Sequence, residues 1–159
     1  MESRPWPART GVILVILLVI LQFGLVAMLA WRLLTHTAGF APIDAVVLLC
    51  GAVILGLWTL SANRPGNFNI RPVPRSGGTL IVHGPYRRIR HPMYVSLMLA
   101  GLGAARVSPQ AVTALTWPAL ALVLTLKAVV EERMLILTYP EYRDYCAKNL
   151  AICSRRVLA

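Results

Sequence analysis

The sequence predicts an all-α, polytopic membrane protein with about four transmembrane helices in a single membrane domain. Of its 159 residues, 57% are hydrophobic and only 14% are charged, whereas about a quarter are charged in typical soluble proteins. Uncharged apolar runs long enough to span a bilayer occur at residues 11–31 and 45–62. Because four spans of ~20 residues leave only ~70 residues for loops and ends, we expect no separate soluble domain.

The first two spans are predicted at residues 11–33 and 43–62. The first apolar run is longer than a signal-peptide core and is not followed by a small-residue cleavage site, so we interpret it as a retained helix. After the second span comes NRPGNFNIRPVPRSGG, whose three prolines and three glycines forbid a continuous helix. We predict that this segment is a loop at the membrane surface.

The last two spans, at residues 92–106 and 109–130, are predicted to form a helical hairpin. Pro92 suits the first turn of a helix, and the residues around Pro109 suit a tight turn. The fourth span runs directly into Lys127 and Glu131, and a cytoplasmic C-terminal segment follows it. The distant ends of the hairpin should return to the same membrane face.

The formal charge of +10 is distributed as in a membrane protein rather than a nucleic-acid-binding one. One connecting segment carries six arginines and no acidic residue: Arg64, Arg71, Arg75, Arg87, Arg88 and Arg90. Since cytoplasmic loops are enriched in basic residues, this segment and both termini are predicted to be cytoplasmic, next to anionic lipid. We expect an integral protein of the bacterial inner (plasma) membrane that contacts membrane lipids and no nucleic acid.

The cysteines indicate neither a metal site nor a disulfide framework. Cys50 lies within an apolar run, while Cys146 and Cys153 lie near the C-terminus, and their spacing is not that of metal ligands. No metal is therefore predicted.

Two polar clusters border the predicted hairpin: GPYRRIRHPMY before it and EERMLILTYPEYRDY after it. Each feature also has a structural interpretation, since His91 and Pro92 suit a helix start and interfacial tyrosines are common. Glu131 and Glu132 could form a solvated helix end, although carboxylates continuous with an apolar helix are costly without partners. Because the two helices return to one face, the clusters are predicted to meet.

Together these motifs resemble the isoprenylcysteine carboxyl methyltransferase and phospholipid methyltransferase family of integral membrane enzymes. The resemblance covers about residues 77–148 and implies S-adenosylmethionine as the cofactor. It further implies that Glu131 faces the cofactor from the last helix. The other cofactor-binding residues that it implies are Gly78, Thr79, Leu80, Ile81, Tyr86, His91, Pro92, Met93 and Tyr94.

The predicted catalytic residues are Lys127, Glu131 and Glu132. If the acceptor were a protonated amine, either glutamate could act as the base that removes its proton. The role of Lys127 is implied by the resemblance. Lys127 lies one turn before Glu131, where eukaryotic members have an arginine that contacts the methyl acceptor. A lysine acts as a point charge, whereas an arginine can hold a carboxylate with two parallel hydrogen bonds. A structural alternative for Lys127 is an interfacial lysine paired with Glu131.

The expected function is carboxyl O-methylation of a lipophilic, isoprenylcysteine-like acceptor, either a small molecule or a lipidated one. A phospholipid or isoprenoid methyltransferase remains an alternative, followed by an NADPH-dependent membrane reductase. A small four-helix transporter ranks lower, because the first two spans lack the ionisable residue that proton coupling needs, and a non-catalytic adaptor ranks last. The sequence leaves the oligomeric state open.

Overall fold

The computed structural model describes residues 9–36, 39–63, 81–138 and 142–148. Within these residues the secondary structure is entirely helical, so the prediction of an all-α fold is confirmed. In chain order the helices are α1 (Arg9–Leu34), α2 (Ile43–Ala62), a 3₁₀ turn (Gly84–Arg87), α3 (Pro92–Val107), α4 (Ala111–Thr138) and α5 (Tyr142–Lys148).

Three of these helices are long and apolar enough to cross a membrane. The candidate spans are Ile13–Leu34, Ile43–Ala62 and Ala111–Arg133, and most of their large apolar side chains face outward, as lipid contact requires. Helix α3 has 16 residues, fewer than the ~20 of a typical span. It therefore stays a prediction that α3 crosses the membrane completely. The cytoplasmic location of both termini and of the arginine-rich segment also stays a prediction.

Helix α4 is longer than the sequence indicated. It extends to Thr138, beyond the predicted end at residue 130, and Pro118 lies within it. Glu131 and Glu132 consequently lie inside a continuous helix rather than after its end. Since the helix fixes the spacing of its side chains, Lys127 and Glu131 share one helical face.

Small residues allow α2 and α3 to approach closely. A Cβ added at Gly103 would lie 2.8 Å from Cγ of Leu49 and 3.3 Å from the carbonyl oxygen of Ala45. One turn from the start of α3, Ser96 donates a hydrogen bond of 2.8 Å to the carbonyl oxygen of Ala52. Such contacts are the usual means by which helices associate where no hydrophobic effect drives them together.

The hairpin of α3 and α4 is closed by residues 108–110. The Gln110 backbone N–H donates to the Thr113 hydroxyl over 3.1 Å, which satisfies a backbone donor at the start of α4. Trp117 then donates from its ring nitrogen to the Met98 carbonyl, 3.0 Å away, and ties the two helices together. The beginning of α3 and the end of α4 therefore lie at the same end of the bundle.

Substitution of Gly103 by alanine should destabilise the fold by roughly 1–3 kcal/mol, because the new methyl group would overlap Leu49 and the α2 backbone. Gly51→Ala is the matched control, since a Cβ at Gly51 meets no atom within 4 Å. That control should be neutral or stabilising by about 0.5–1 kcal/mol, because alanine favours the helix. Thermal unfolding in detergent would measure both, and equal melting temperatures would contradict the close α2–α3 packing.

Candidate functional site

The segment before α3 is fixed by a tight turn against the end of α2. Gly84 opens the turn with φ +59°, a conformation that favours glycine, and a Cβ there would lie 2.8 Å from that of Ala62. Pro85 is buried, and the Ile89 backbone N–H donates to the Pro85 carbonyl over 3.1 Å. From this turn beside the end of α2 the chain continues to the start of α3, where Arg90 and His91 are buried.

A buried charged network joins the two polar clusters. The Arg90 guanidinium contacts both carboxylate oxygens of Glu132 at 3.3 Å and also donates to the carbonyl of Cys146. His91 Nε2 lies 3.2 Å from Glu132 Oε1. Because buried charges need both a counter-charge and hydrogen bonds, this network fixes the positions of α3, α4 and α5 at the site.

Glu131 is the more accessible of the two carboxylates. Its side chain is 27% exposed, compared with 9% for Glu132. The Tyr94 hydroxyl donates to Glu131 Oε2 over 2.9 Å, and His91 Nδ1 lies 3.6 Å from the same oxygen. The His91 and Tyr94 rings are stacked with centroids 5.3 Å apart, so an aromatic wall borders this carboxylate.

Helix α5 covers the turn before α3. The Tyr145 hydroxyl donates to the Tyr86 carbonyl oxygen over 2.6 Å, and Tyr142 and Cys146 are the buried residues of α5. Burial raises the pKa of the Tyr86 phenol to about 12, with a further contribution from Glu131. Burial likewise raises the pKa of the Cys146 thiol. Tyr86 therefore stays protonated, as a hydrogen-bond donor, throughout the physiological pH range.

Lys127 contacts α1 rather than a carboxylate. Its Nζ donates to Gln22 Oε1 over 2.7 Å, and it lies 5.2 Å from the centroid of the Tyr94 ring. Both Lys127 and Gln22 are buried, at 3% and 6% exposure. Within the residues that the structure describes, Lys127 forms no ion pair, and the alternative pairing with Glu131 is not observed.

An apolar cleft of about 120 Å³ is lined by residues of α1, α3 and α4 and by Leu49 of α2. Each of α1, α3 and α4 carries one residue of the polar cluster and one residue that lines the cleft. The two residues lie on the same face of the helix, two turns or roughly 10 Å apart. These pairs are Gln22 and Leu29 in α1, Tyr94 and Gly101 in α3, and Lys127 and Leu120 in α4. The cleft thus lies between the same helix faces as the polar cluster, deeper in the bundle.

The structure brings together His91, Tyr94, Glu131 and Glu132 from the predicted site. Pro92 is buried at the first turn of α3, Met93 is partly buried beside it, and Tyr86 is covered by α5. Ile81 lies partly buried before the 3₁₀ turn, whereas Gly78, Thr79 and Leu80 lie outside the described residues.

Sequence analysis missed Arg90 and Gln22 as members of the site. Arg90 had been assigned to the basic loop, although a buried Glu132 at the end of an apolar helix requires a cationic partner. Gln22 had a signal of its own, because it is the single polar side chain in the run at residues 11–31. An isolated amide in such a run indicates a buried hydrogen-bond partner.

A comparison with protein families matches residues 40–142 to the family described as phospholipid methyltransferase, which is more than half of the chain. The chain belongs to the phospholipid methyltransferase family. This confirms the family that the motifs at the two ends of the hairpin indicated. The members of this family are membrane methyltransferases. The matched segment contains α2, α3 and the whole of α4, with the Arg90–Glu132 ion pair, but not α1.

A curated relative with significant similarity is the cobalt-zinc-cadmium resistance protein CzcN of Cupriavidus metallidurans. It is 39% identical over 84 residues, which are 51% of this chain and 38% of the relative. The chain therefore spans well under two thirds of that relative's length. No solved structure matches the chain significantly.

Replacing Arg90 by methionine should destabilise the protein by about 3–5 kcal/mol, because Glu132 and the Cys146 carbonyl would be left buried without their partner. Arg88→Met is the matched control, since Arg88 is an exposed neighbour in the same segment and should change stability by less than ~0.5 kcal/mol. Thermal unfolding of both variants measures the difference. If Arg90→Met melted with the control, the network would not hold the site together.

Proposed function

We propose that the chain is an S-adenosylmethionine-dependent methyltransferase that methylates a carboxylate on a lipophilic, isoprenylcysteine-like acceptor at the cytoplasmic membrane face. The observation that carries the proposal is the ammonium of Lys127, which is buried beside Tyr94 without a carboxylate partner among the described residues. A buried charge of this kind marks a functional site in a membrane protein.

The residues around Glu131 fit the cofactor. S-adenosylmethionine carries an ammonium group and a sulfonium, and both favour a carboxylate or an aromatic face. Glu131 offers an accessible carboxylate next to the stacked rings of His91 and Tyr94. Tyr86 remains a protonated donor nearby, so the site presents one negative charge, an aromatic wall and a neutral hydrogen-bond donor.

The second carboxylate has a different role in this proposal. Glu132 is held by Arg90 and His91, which use its oxygens and leave it little accessible surface. We therefore assign Glu132 as a positioning residue that orients His91, and we assign Glu131 as the residue that meets the cofactor. The two glutamates, adjacent in sequence, thus have separate functions that follow from their burial.

Lys127 supplies the charge that would orient the acceptor. A carboxylate is attracted to its ammonium, and the apolar cleft two turns deeper can accept a hydrocarbon chain of the same molecule. A protonated amine, such as a phospholipid head group presents, would be repelled by the same ammonium. The geometry therefore favours an anionic acceptor over an amine.

When bound, S-adenosylmethionine supplies an electrophilic methyl group whose transfer to a carboxylate oxygen releases a neutral thioether. Because a carboxylate is already a nucleophile, the residues of this chain need no proton transfer to activate it. Their contribution is alignment and the exclusion of water, through Lys127 on the acceptor and Glu131 on the cofactor. These tasks are consistent with a small site buried between three helices.

The cofactor assignment predicts that His91→Ala, Tyr94→Ala and Glu131→Gln each weaken S-adenosylmethionine binding at least ~10-fold, or ~1.4 kcal/mol. Each change removes a charge or a hydrogen bond from the aromatic wall and its carboxylate. Isothermal titration calorimetry of the detergent-purified protein measures the affinities.

Asp44→Asn is the matched control, because Asp44 is an exposed carboxylate that pairs with Arg106 at the opposite end of the bundle. It should bind S-adenosylmethionine as the wild type does. Wild-type affinity in all three site variants would reject the site, and binding of NADPH in place of S-adenosylmethionine would favour the reductase alternative.

A further inference from the structure

Gln22 lies outside the segment that matches the family, yet it is part of the polar cluster. It precedes residue 40, where the family match begins, and it belongs to the apolar helix α1. The residue is buried, with 6% of its surface exposed, and its amide oxygen contacts the ammonium of Lys127, which is also buried. A polar side chain in this position requires a physical reason, because an amide is costly to bury in a membrane helix without a partner.

The chemistry of the two groups fixes the orientation of the amide. An ammonium has only hydrogen-bond donors, so the Gln22 atom 2.7 Å from Nζ must be the carbonyl oxygen Oε1. The amide nitrogen Nε2 therefore occupies the other branch of the side chain, with two N–H donors. Within the described part of the chain, Nε2 donates to no acceptor.

A neutral amide also leaves the charge of Lys127 intact. A carboxylate at position 22 would form an ion pair with the ammonium and cancel most of its field, whereas an amide oxygen holds the ammonium in place without a counter-charge. The Tyr94 ring stabilises the same cation from another side. Both contacts keep a positive charge available two turns, or roughly 10 Å, from the apolar cleft.

We propose that Gln22 and Lys127 together form a two-donor site for an anionic head group of a lipophilic ligand, with Gln22 Nε2–H and Lys127 Nζ–H each donating to one oxygen. The inference rests on the proposed function, because it identifies the acceptor-binding residues of the same site. A single arginine could provide two parallel donors from one guanidinium. Here a lysine on α4 and an amide on α1 provide them from two helices.

The ligand chemistry that this site recognises is an oxyanion attached to a hydrocarbon chain. A carboxylate and a phosphate both offer two oxygens to two donors, so the shared feature is the anionic oxygen pair. The proposed function favours the carboxylate, and the apolar cleft beneath favours a hydrocarbon chain. The experiment below distinguishes a carboxylate from a phosphate.

The test measures binding of N-acetyl-S-farnesylcysteine to the full-length protein in nanodiscs, by equilibrium dialysis with the labelled probe, and its uncharged carboxamide serves as the second ligand. Gln22→Met should weaken binding of the carboxylate about 10-fold, the usual cost of losing a hydrogen bond to a charged group. Binding of the carboxamide should be weak and unchanged. Gln110→Met is the matched control, because Gln110 is exposed in the turn between α3 and α4, and it should bind both ligands as the wild type does.

Two further variants separate ligand binding from a purely structural role of Gln22. Gln22→Glu retains a partner for Lys127 and should keep or raise the melting temperature, yet it should weaken carboxylate binding at least as much as Gln22→Met, since it adds a negative charge. Lys127→Arg in the Gln22→Met background should restore affinity to within about threefold of the wild type, because the guanidinium supplies both donors. A structural role predicts neither the loss in Gln22→Glu nor the rescue.

Wild-type carboxylate affinity in Gln22→Met or Gln22→Glu would overturn the two-donor site, as would a parallel loss of carboxamide binding. Displacement of the probe by phosphatidic acid, which carries a phosphate and no ammonium, in the wild type but not in Gln22→Met would support the site and identify phosphate as the oxyanion. The proposed function is judged separately, by S-adenosylhomocysteine binding to the wild type. If S-adenosylhomocysteine did not bind, the methyltransferase assignment would be rejected. The effect of the Gln22 variants on probe binding would still decide whether the two-donor site exists.

Discussion

The pairing of Glu132 with Arg90 and His91 is the interaction on which the arrangement of the site depends. Glu132 lies within an apolar helix, where an unpaired carboxylate would be strongly destabilising. Arg90 and His91 are adjacent at the start of α3. Their pairing with Glu132 therefore holds the start of α3 against the last turns of α4. The same Arg90 reaches the Cys146 carbonyl and anchors α5 over the site. One network therefore positions three helices and leaves Glu131 accessible.

The polarity of the site decreases along the bundle, which accounts for the proposed separation of the cofactor site from the acceptor site. The accessible carboxylate of Glu131 lies toward the end of α4, one turn beyond Lys127, and the apolar cleft lies two turns deeper. A water-soluble cationic cofactor and an amphipathic acceptor would then approach from different sides of Tyr94, which contacts both Glu131 and Lys127. Tyr94 is thereby the residue that couples the two halves of the site.

Much of this arrangement could be predicted from the sequence, because the strongest signals are local. The uncharged runs and Pro92 indicate the helices, and the short turn after α3 forces the clusters around His91 and Glu131 to the same end. Contacts between helices distant in the chain could not be predicted this way. Lys127 contacts Gln22, and the large separation of these residues in the sequence gives no sign of the contact. The ion pair of Arg90 with Glu132 could not be predicted either, because it depends on how deeply Glu132 is buried.

In the proposed function, the carboxylate of Glu131 and the aromatic wall beside it hold an adenosyl cofactor. Native mass spectrometry of the protein released from purified membranes in mild detergent tests this most directly, because it identifies a retained ligand by mass without assuming an acceptor. S-adenosylmethionine or S-adenosylhomocysteine should be bound to the wild type and absent from Glu131→Gln. A nicotinamide dinucleotide in that position, or an adenosyl ligand retained undiminished by Glu131→Gln, would contradict it.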